Sequence, residues 1–234
     1  MTAFFMKITL NKALLPTYEL VISKLGRENV YLVGGCVRDT LLGRETSDLD
    51  FCCSLSPEVI HQAFEDSLYF EKYGTVSFKH DKNHATIAAL RKESDYKDYR
   101  HPGKVIFVKT IEEDFRRRDF TINSLYVDGN FDVIDPTGRG LKDLTNKIIC
   151  LIGNFNQKLR EDPLRILRAC RFKLELGFTY SEETKKAMIE EEHLIGQLNP
   201  QKIKEELHKC PKKYQENMIE ELHLKDYCCI IEHR

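Results

Sequence analysis

Apolar and polar positions change their rhythm along this chain, and the change divides it in two. From Leu14 to Leu25 the apolar residues recur at helical spacing, which predicts an amphipathic helix. Tyr31-Leu32-Val33 is a β-prone apolar run and predicts a strand. Val37 to Leu42 returns to helical spacing and is closed by Gly43. Asp48-Leu49-Asp50-Phe51 alternates polar with apolar, so a strand there sends both carboxylates to one face. Ser56-Pro57 opens a helix over Glu58 to Phe64. Thr75 to Phe78 and Thr86 to Leu90 predict paired strands across the polar turn Asp81-Lys82-Asn83. Lys92 to Gly103 reads as a polar, tyrosine-bearing loop. Beyond it come a strand over Val105 to Val108 and a helix over Ile111 to Arg118. Ser124 to Val127 and Phe131 to Ile134 pair across Asp128-Gly129-Asn130, and Asp135-Pro136-Thr137-Gly138 makes a turn.

From about Asn146 the strand signals fade. Leu167, Cys170 and Leu174 form a stripe at i, i+3 and i+7. Further helices are predicted over Glu182 to Leu198, Gln201 to His208 with Pro200 opening it, and Tyr214 to Tyr227. No internal repeat or low-complexity linker interrupts the chain. The expected organisation is a mixed α/β domain over 1–145 and a helical one over 146–234.

The chain has 234 residues, enough for one large domain or two small ones, and its 41% hydrophobic content supports a sizeable core. No apolar run reaches the ~18 residues that a membrane span needs, and Met1 to Leu10 lacks a signal-peptide pattern. A cytoplasmic location without membrane contact is the expectation. The eight cysteines are scattered or adjacent, and no C-x-x-C pair occurs. His208, Cys210, His223 and Cys228 lie near one another without metal-ligand spacing, so the thiols read as reduced and structural. A net charge of −1 does not advertise a broad nucleic-acid surface. Arg116-Arg117-Arg118 and the series Arg160, Arg165, Arg168, Arg171 are nonetheless local clusters that suit a phosphate-rich ligand.

Candidate chemistry begins at Gly34-Gly35-Cys36-Val37-Arg38-Asp39. Two glycines after a strand let the backbone turn tightly and bring N–H groups to an anion, and the helix after them adds positive dipole character. Asp48 and Asp50 downstream are two hard oxygen ligands on one face, suited to Mg²⁺ bound jointly with a triphosphate. In Arg117-Arg118-Asp119-Phe120-Thr121-Ile122-Asn123, Arg118 could hold a triphosphate and Asp119 accept from a ribose hydroxyl. The same residues also suit a helix C-terminus favoured by its arginines, with Asp119 capping the next segment. In Arg160-Glu161-Asp162-Pro163-Leu164-Arg165, Asp162 as N-cap and Pro163 at the first position form an ordinary helix start. Arg165, Arg168 and Arg171 then share about a third of the helix circumference. Without interleaved carboxylates they repel one another, which favours an anionic ligand.

The order of these elements closely resembles the bacterial-type (class II) tRNA nucleotidyltransferases, or CCA-adding enzymes, of the tRNA nucleotidyltransferase–poly(A) polymerase family. The matching runs are Gly34 to Asp39, Asp48 to Asp50, Asp95-Tyr96-Lys97-Asp98-Tyr99-Arg100, Arg117 to Asn123, Asp135 to Gly138 and Arg160 to Phe172, covering roughly residues 16 to 210. The resemblance implies an α+β fold: a polymerase-β-like nucleotidyltransferase head, a mixed sheet with helices, over 1–145. An all-helical neck with a short C-terminal stub succeeds it over 146–234, truncated relative to the family. It implies that Asp48 and Asp50 carry catalytic Mg²⁺. Gly35, Arg38, Arg118, Asp119, Asp162, Arg165, Arg168 and Arg171 would bind the nucleotide. Among these, Asp162 and Arg165 would read the base edge of CTP or ATP as a protein template, and the tRNA 3′ end would be the acceptor. The Asp95 to Arg100 run resembles the loop associated with the terminal A, which favours full CCA addition. An A-only or poly(A)-polymerase-like transferase is the alternative within the class, and a non-catalytic nucleotide- or RNA-binding relative the alternative outside it. Two departures stand out. Thr86 occupies a place where relatives often carry a glutamate, and the short chain leaves room for a partner or oligomer to supply RNA-binding surface.

Overall fold

The computed structural model describes residues 6–225. They fold into two compact units. The first comprises residues up to Glu93, Val105–Arg118 and Ile122–Leu141; the second comprises Ser94–Lys104, Asp119–Thr121 and the chain from Lys142 onward.

The first unit starts with helix α1 (Leu15–Leu25), which carries Pro16 in its first turn and is capped by Gly26. Strand β1 (Val30–Val33) leads into the short helix α2 (Gly35–Leu41), then β2 (Asp48–Cys53) and α3 (Pro57–Ala63). Strands β3 (Leu68–Phe70), β4 (Thr75–His80), β5 (Asn83–Ala89), β6 (Arg91–Ser94) and β7 (Lys104–Phe107) come next. One helical turn, α4 (Ile111–Asp114), precedes β8 (Tyr126–Val127) and β9 (Val133–Ile134). The main sheet has seven strands in the order β3-β4-β5-β2-β1-β8-β9, and β6 and β7 form a separate two-stranded ribbon. All neighbours in the main sheet are antiparallel except β2 and β5, which run parallel with Asp50 opposite Thr86. The alternation read from the sequence sets how β2 sits. Leu49 and Phe51 are buried, with Phe51 beside the Tyr18 ring of α1, while Asp48 and Asp50 are exposed. Each such apolar side chain contributes roughly 1.5–3 kcal/mol by leaving water, so a one-residue slip of β2 would bury two carboxylates instead.

From Lys142 onward the second unit is mainly helical, with one two-residue parallel ladder. Helix α5 (Gly140–Thr145) leads into it, and strand β10 (Ile148–Ile149) pairs with β11 (Thr179–Tyr180). Between them lie α6 (Phe155–Glu161), capped by the Asn154 side chain, and α7 (Leu164–Leu176), ended by Gly177 in the left-handed conformation. Helices α8 (Glu182–Glu191), α9 (Pro200–Lys209) and α10 (Lys212–Glu221) complete it, the first two capped by Ser181 and Asn199. Residues Asp119–Thr121 join this unit through backbone: Thr121 N–H donates to Cys150 O at 2.9 Å and Ile152 N–H to Asp119 O at 3.0 Å. The Phe120 ring meets Phe172 of α7 edge-on.

Three expectations shift. Helix Ile111 to Arg118 is one α turn and then a 3₁₀ turn over Phe115–Arg117, because Asp114 draws Arg117 and Arg118 back onto its carboxylate. The first residues of the polar Lys92 to Gly103 segment form β6, a ribbon whose side chains pair with one another, as Arg91 does with Glu93 at 2.7 Å. The final helix spans Lys212–Glu221; Tyr227, Cys228 and Cys229 lie outside the described residues. Among the described residues no helix is long and apolar enough to cross a membrane.

Candidate functional site

In the first unit, the turn after β1 abuts the acidic face of β2. Gly34 has φ +84°, a conformation that a side chain strains, and a Cβ there would stand in ordinary contact with Asp50 Oδ2 at 3.4 Å, so the turn lies close against the carboxylate. Asp48 and Asp50 project from the same face of β2 into solvent, and Thr86 stands beside Asp50 in the adjoining strand. Among the described residues, no group of three His, Cys, Asp or Glu side chains could hold an ion. Two carboxylates in the open instead suit Mg²⁺, which keeps waters and takes further oxygens from a phosphate substrate. Arg38 of α2 is only 7% exposed. Its Nε and Nη2 donate to both oxygens of Asp39 at 3.0 and 2.8 Å, and its Nη1 donates to Asn123 Oδ1 at 2.8 Å. Gly35, where α2 begins, lies against this guanidinium.

Further along the same face, Cys52 lies at i+2 from Asp50, and Arg118 Nη2 donates to its Sγ at 2.8 Å. Arg118 is thereby anchored on the strand face that carries the two aspartates. Its Nε donates to Tyr126 Oη at 2.8 Å and to Asp114 Oδ2 at 3.1 Å. Asp114 is fully buried and also accepts from Tyr126 Oη at 2.7 Å, Arg117 Nε at 2.8 Å and the Arg91 N–H at 3.1 Å. Burial pushes the Cys52 thiol up to about 11, so it is a neutral packing group, not a nucleophile.

Burial by itself would raise the Asp114 pKa. Arg117, Arg118 and the Tyr126 hydroxyl outweigh it and hold the carboxyl well below the usual range. A carboxylate with a depressed folded pKa contributes stability that is fully present above its unfolded value of ~3.9 and is lost as pH falls through the folded one. Asp114→Asn should therefore lower Tm strongly at pH 7, with the gap to the native chain narrowing below about pH 4. A gap of constant size in melts from pH 7 to pH 3 would count against this assignment.

The second unit gathers the remaining predicted residues. Asp119 is paired with Arg168, which donates through Nε at 2.8 Å and approaches through Nη2 at 2.5 Å. Burial raises the Asp119 pKa, and Arg168, the Phe120 N–H and Arg165 together more than reverse it. Asp162 sits in the break between α6 and α7, its Oδ1 accepting from Leu164 N–H at 3.2 Å. The side-chain cap expected there exists, but Pro163 rather than Asp162 occupies the cap position of α7. Burial raises the Asp162 pKa against the opposing pull of Arg165, Arg100 and Arg168. Arg165 is 5% exposed; it donates to Lys158 O and lies 3.6 Å from Glu161. Arg171 pairs with Glu206 of α9 at 2.7 Å and Glu175 at 3.0 Å. The expectation that the α7 arginines repel one another unless an anion is present is therefore corrected. Each finds a carboxylate, and two of these (Asp119 and Glu206) come from far along the chain. Within this unit, segment Ser94–Lys104 closes on itself through Gly103 N–H to Asp95 O at 3.0 Å. It carries Arg100, whose Nη1 is buried without a hydrogen-bond partner and whose charge acts on Asp162.

Asp114, Tyr126 and Cys52 were not read as site residues from the sequence, and Arg100 entered only as the end of the Asp95 to Arg100 run. Asp114 in Ile111-Glu112-Glu113-Asp114 looks like any acid at a helix start, and its partner Tyr126 lies twelve residues on in a different element. No local signal marks such a pair.

The sequence profile of the poly A polymerase head domain matches residues 30–150. A CCA-adding enzyme of Geobacillus sp. (strain WCH70) is 41% identical over 180 residues, covering 76% of this chain and 44% of that one. The CCA-adding enzyme of Geobacillus kaustophilus is 37% identical over 192 residues, covering 81% and 47%. The crystal structure of Bacillus stearothermophilus CCA-adding enzyme in complex with CTP superposes with a TM-score of 0.75 at 32% identity, over 86% of this chain and 49% of that one. A tRNA nucleotidyltransferase complexed with a primer tRNA and an incoming ATP analog gives 0.69 at 29% identity, over 86% and 58%. The chain spans about half the length of the curated relatives it matches. With more than half its residues matched by the head-domain profile, and with the glycine turn and paired aspartates in place on adjoining strands, the chain belongs to the poly A polymerase head-domain family.

Proposed function

We propose that the chain is a nucleotidyltransferase that adds CCA to the 3′ end of tRNA, without a nucleic-acid template, from CTP and ATP. The observation that carries the reading is the shared face of β2. There Asp48, Asp50 and the anchored Arg118 share one strand face against which the Gly34–Gly35 turn lies, so that metal-binding oxygens and phosphate-binding donors would stand together. Relatives named CCA-adding enzyme, and neighbours solved with CTP or with primer tRNA and an ATP analog, support the substrate assignment.

Asp48 and Asp50 would hold Mg²⁺ jointly with the triphosphate. When bound, the ion promotes ionisation of the attacking 3′-hydroxyl and neutralises charge on the triphosphate. The RNA 3′ oxygen bonds to the α-phosphorus of the nucleotide and pyrophosphate departs. Arg118, together with Arg38 and the backbone at Gly35, would take the phosphate oxygens, and Asp119 would face the ribose hydroxyl. Asp162 and Arg165 would present an acceptor and paired donors to the base edge, with Arg168 and Arg171 supporting them. Incubating the purified chain with tRNA transcripts that end before the first C, the second C or the final A, and with each nucleotide in turn, tests the reading. Sequential C, C and A incorporation is expected. No incorporation with any transcript would remove it, and A incorporation alone would move the chain to the A-only class.

Deleting Lys97–Tyr99 from the Ser94–Lys104 segment should leave C addition within a few-fold of native and impair the final A by at least tenfold. The reason is that this segment carries Arg100, whose charge acts on Asp162. Equal losses of C and A addition would make the segment a structural element only.

A further inference from the structure

Arg118 is held from three sides. Tyr126 meets it twice: the hydroxyl accepts from Nε at 2.8 Å, and the ring lies under the guanidinium with the carbon 5.0 Å from its centroid. Asp114 takes Nε and Nη2, each at 3.1 Å, and Cys52 Sγ takes Nη2 at 2.8 Å. None of these bonds uses Nη1. The side chain is 14% exposed, so the guanidinium is turned inward along its Nε–Nη2 edge. Tyr126 itself is fixed: it is fully buried, its hydroxyl donates to Asp114 at 2.7 Å, and the Tyr31 ring packs on it edge-on.

Arg91, Arg117 and Arg118 gather about the carboxylates of Asp114 and Glu93. Tyr126 adds no negative charge, because burial drives its phenol far above the ordinary range. Arg118 sits on the strand face that bears Asp48 and Asp50, one i+2 step of about 6.6 Å beyond Asp50. That distance is of the order of a diphosphate.

We propose that Tyr126 and Asp114 are positioning residues that lock Arg118 in advance, with Nη1 as the donor presented to the triphosphate of the incoming nucleotide. The inference rests on the assignment of Arg118 as a nucleotide ligand made above. A free arginine loses side-chain entropy when it clamps a phosphate; here folding has already ordered it, so nucleotide affinity gains. Neither positioning residue touches the reacting atoms.

The test is equilibrium CTP binding and steady-state C addition by the native chain, Tyr126→Phe, Arg118→Lys and the double variant, with melts in parallel. Tyr126→Phe keeps the ring and its packing and removes one hydroxyl. Its CTP Kd and KM should rise about five- to tenfold, with the larger part of the effect in KM and not in kcat. Arg118→Lys keeps the charge but loses the Nε–Nη2 edge, so Tyr126→Phe should add less than twofold in that background. Asp114→Asn, compared well below its Tm, should behave as Tyr126→Phe does. If Arg118→Lys weakens CTP binding while Tyr126→Phe changes only Tm, the positioning role is overturned and the ligand role of Arg118 stands. Full additivity in the double variant overturns it equally. If Arg118→Lys binds CTP as the native chain does, the assignment of Arg118 falls, and the positioning role with it.

Discussion

Asp48→Ala and Asp50→Ala each abolish nucleotide addition, by several orders of magnitude, and leave the melting temperature nearly unchanged. Both halves of this expected result come from the same geometry. The two side chains leave β2 on its exposed face, while Leu49 and Phe51 carry the packing on the other. Removing an exposed carboxylate opens no cavity in the core, so the fold has little to lose. The chemistry has much to lose. A triphosphate and an attacking alkoxide concentrate negative charge that Mg²⁺ would offset, and under the proposed assignment each aspartate would supply a large share of the ion's protein ligands. Removal of one preorganised electrostatic group from an active site typically costs 10²–10³ in rate, and losing an ion costs more. Asp50→Asn separates charge from shape, since it keeps the side chain 3.4 Å from where a Cβ at Gly34 would stand. It should be nearly as inactive as the alanine variant. If both alanine variants retain more than a tenth of native activity, a loss below ~1.4 kcal/mol, the metal-site assignment is wrong.

Arg165→Ala relaxes nucleotide choice as well as lowering rate. A site that recognises a base by buried hydrogen bonds rejects the wrong edge strongly, because the mismatch leaves polar groups unpaired. Discrimination for CTP and ATP over UTP and GTP should fall by at least tenfold. The structure adds a complication that the sequence did not contain. Arg165 is almost wholly buried, donates to the Lys158 carbonyl and lies beside Glu161, so alanine also costs stability, about 1–3 kcal/mol. Single-turnover incorporation of all four nucleotides must therefore be compared well below the variant's Tm. Asp162→Asn is the cleaner companion. It retains an oxygen to accept from Leu164 N–H, preserving the turn between α6 and α7, while exchanging an acceptor for a donor at the base edge. If Asp162 and Arg165 serve only the α6–α7 junction, both variants would melt earlier and keep the native order of nucleotide preference at full activity.

The elements that periodicity carries were legible. Helix α1, strands β1 and β2, the β4–β5 hairpin and helix α9 appear within a residue or a few of their expected bounds, because each has an apolar face at helical or strand spacing or a capping residue in sequence; α8 starts at Glu182 as expected but ends at Glu191, and a 3₁₀ stretch over Glu192–Gln197 takes the place of its last turns. Strand β3 was not, since Leu68 and Phe70 are exposed and its existence depends on pairing with β4. The β10–β11 ladder was not either, because two residues separated by thirty others carry no period.

The candidate site divides the same way. From sequence alone came its reactive vocabulary: Gly34-Gly35, Asp48-x-Asp50, Arg118-Asp119 and Asp162-x-x-Arg165, together with the face on which the two aspartates would lie, since a strand's alternation is local geometry. Which charges are already spent was a tertiary decision. Asp119 closes on Arg168, Arg171 on Glu206, Arg38 on Asn123 and Arg118 on Asp114, Tyr126 and Cys52. Most of these pairs span tens of residues, and their strength depends on burial and on a second side chain's direction, neither of which a linear pattern encodes. That is why an arginine row that read as three unpaired cations is in the folded chain a set of clamped ones.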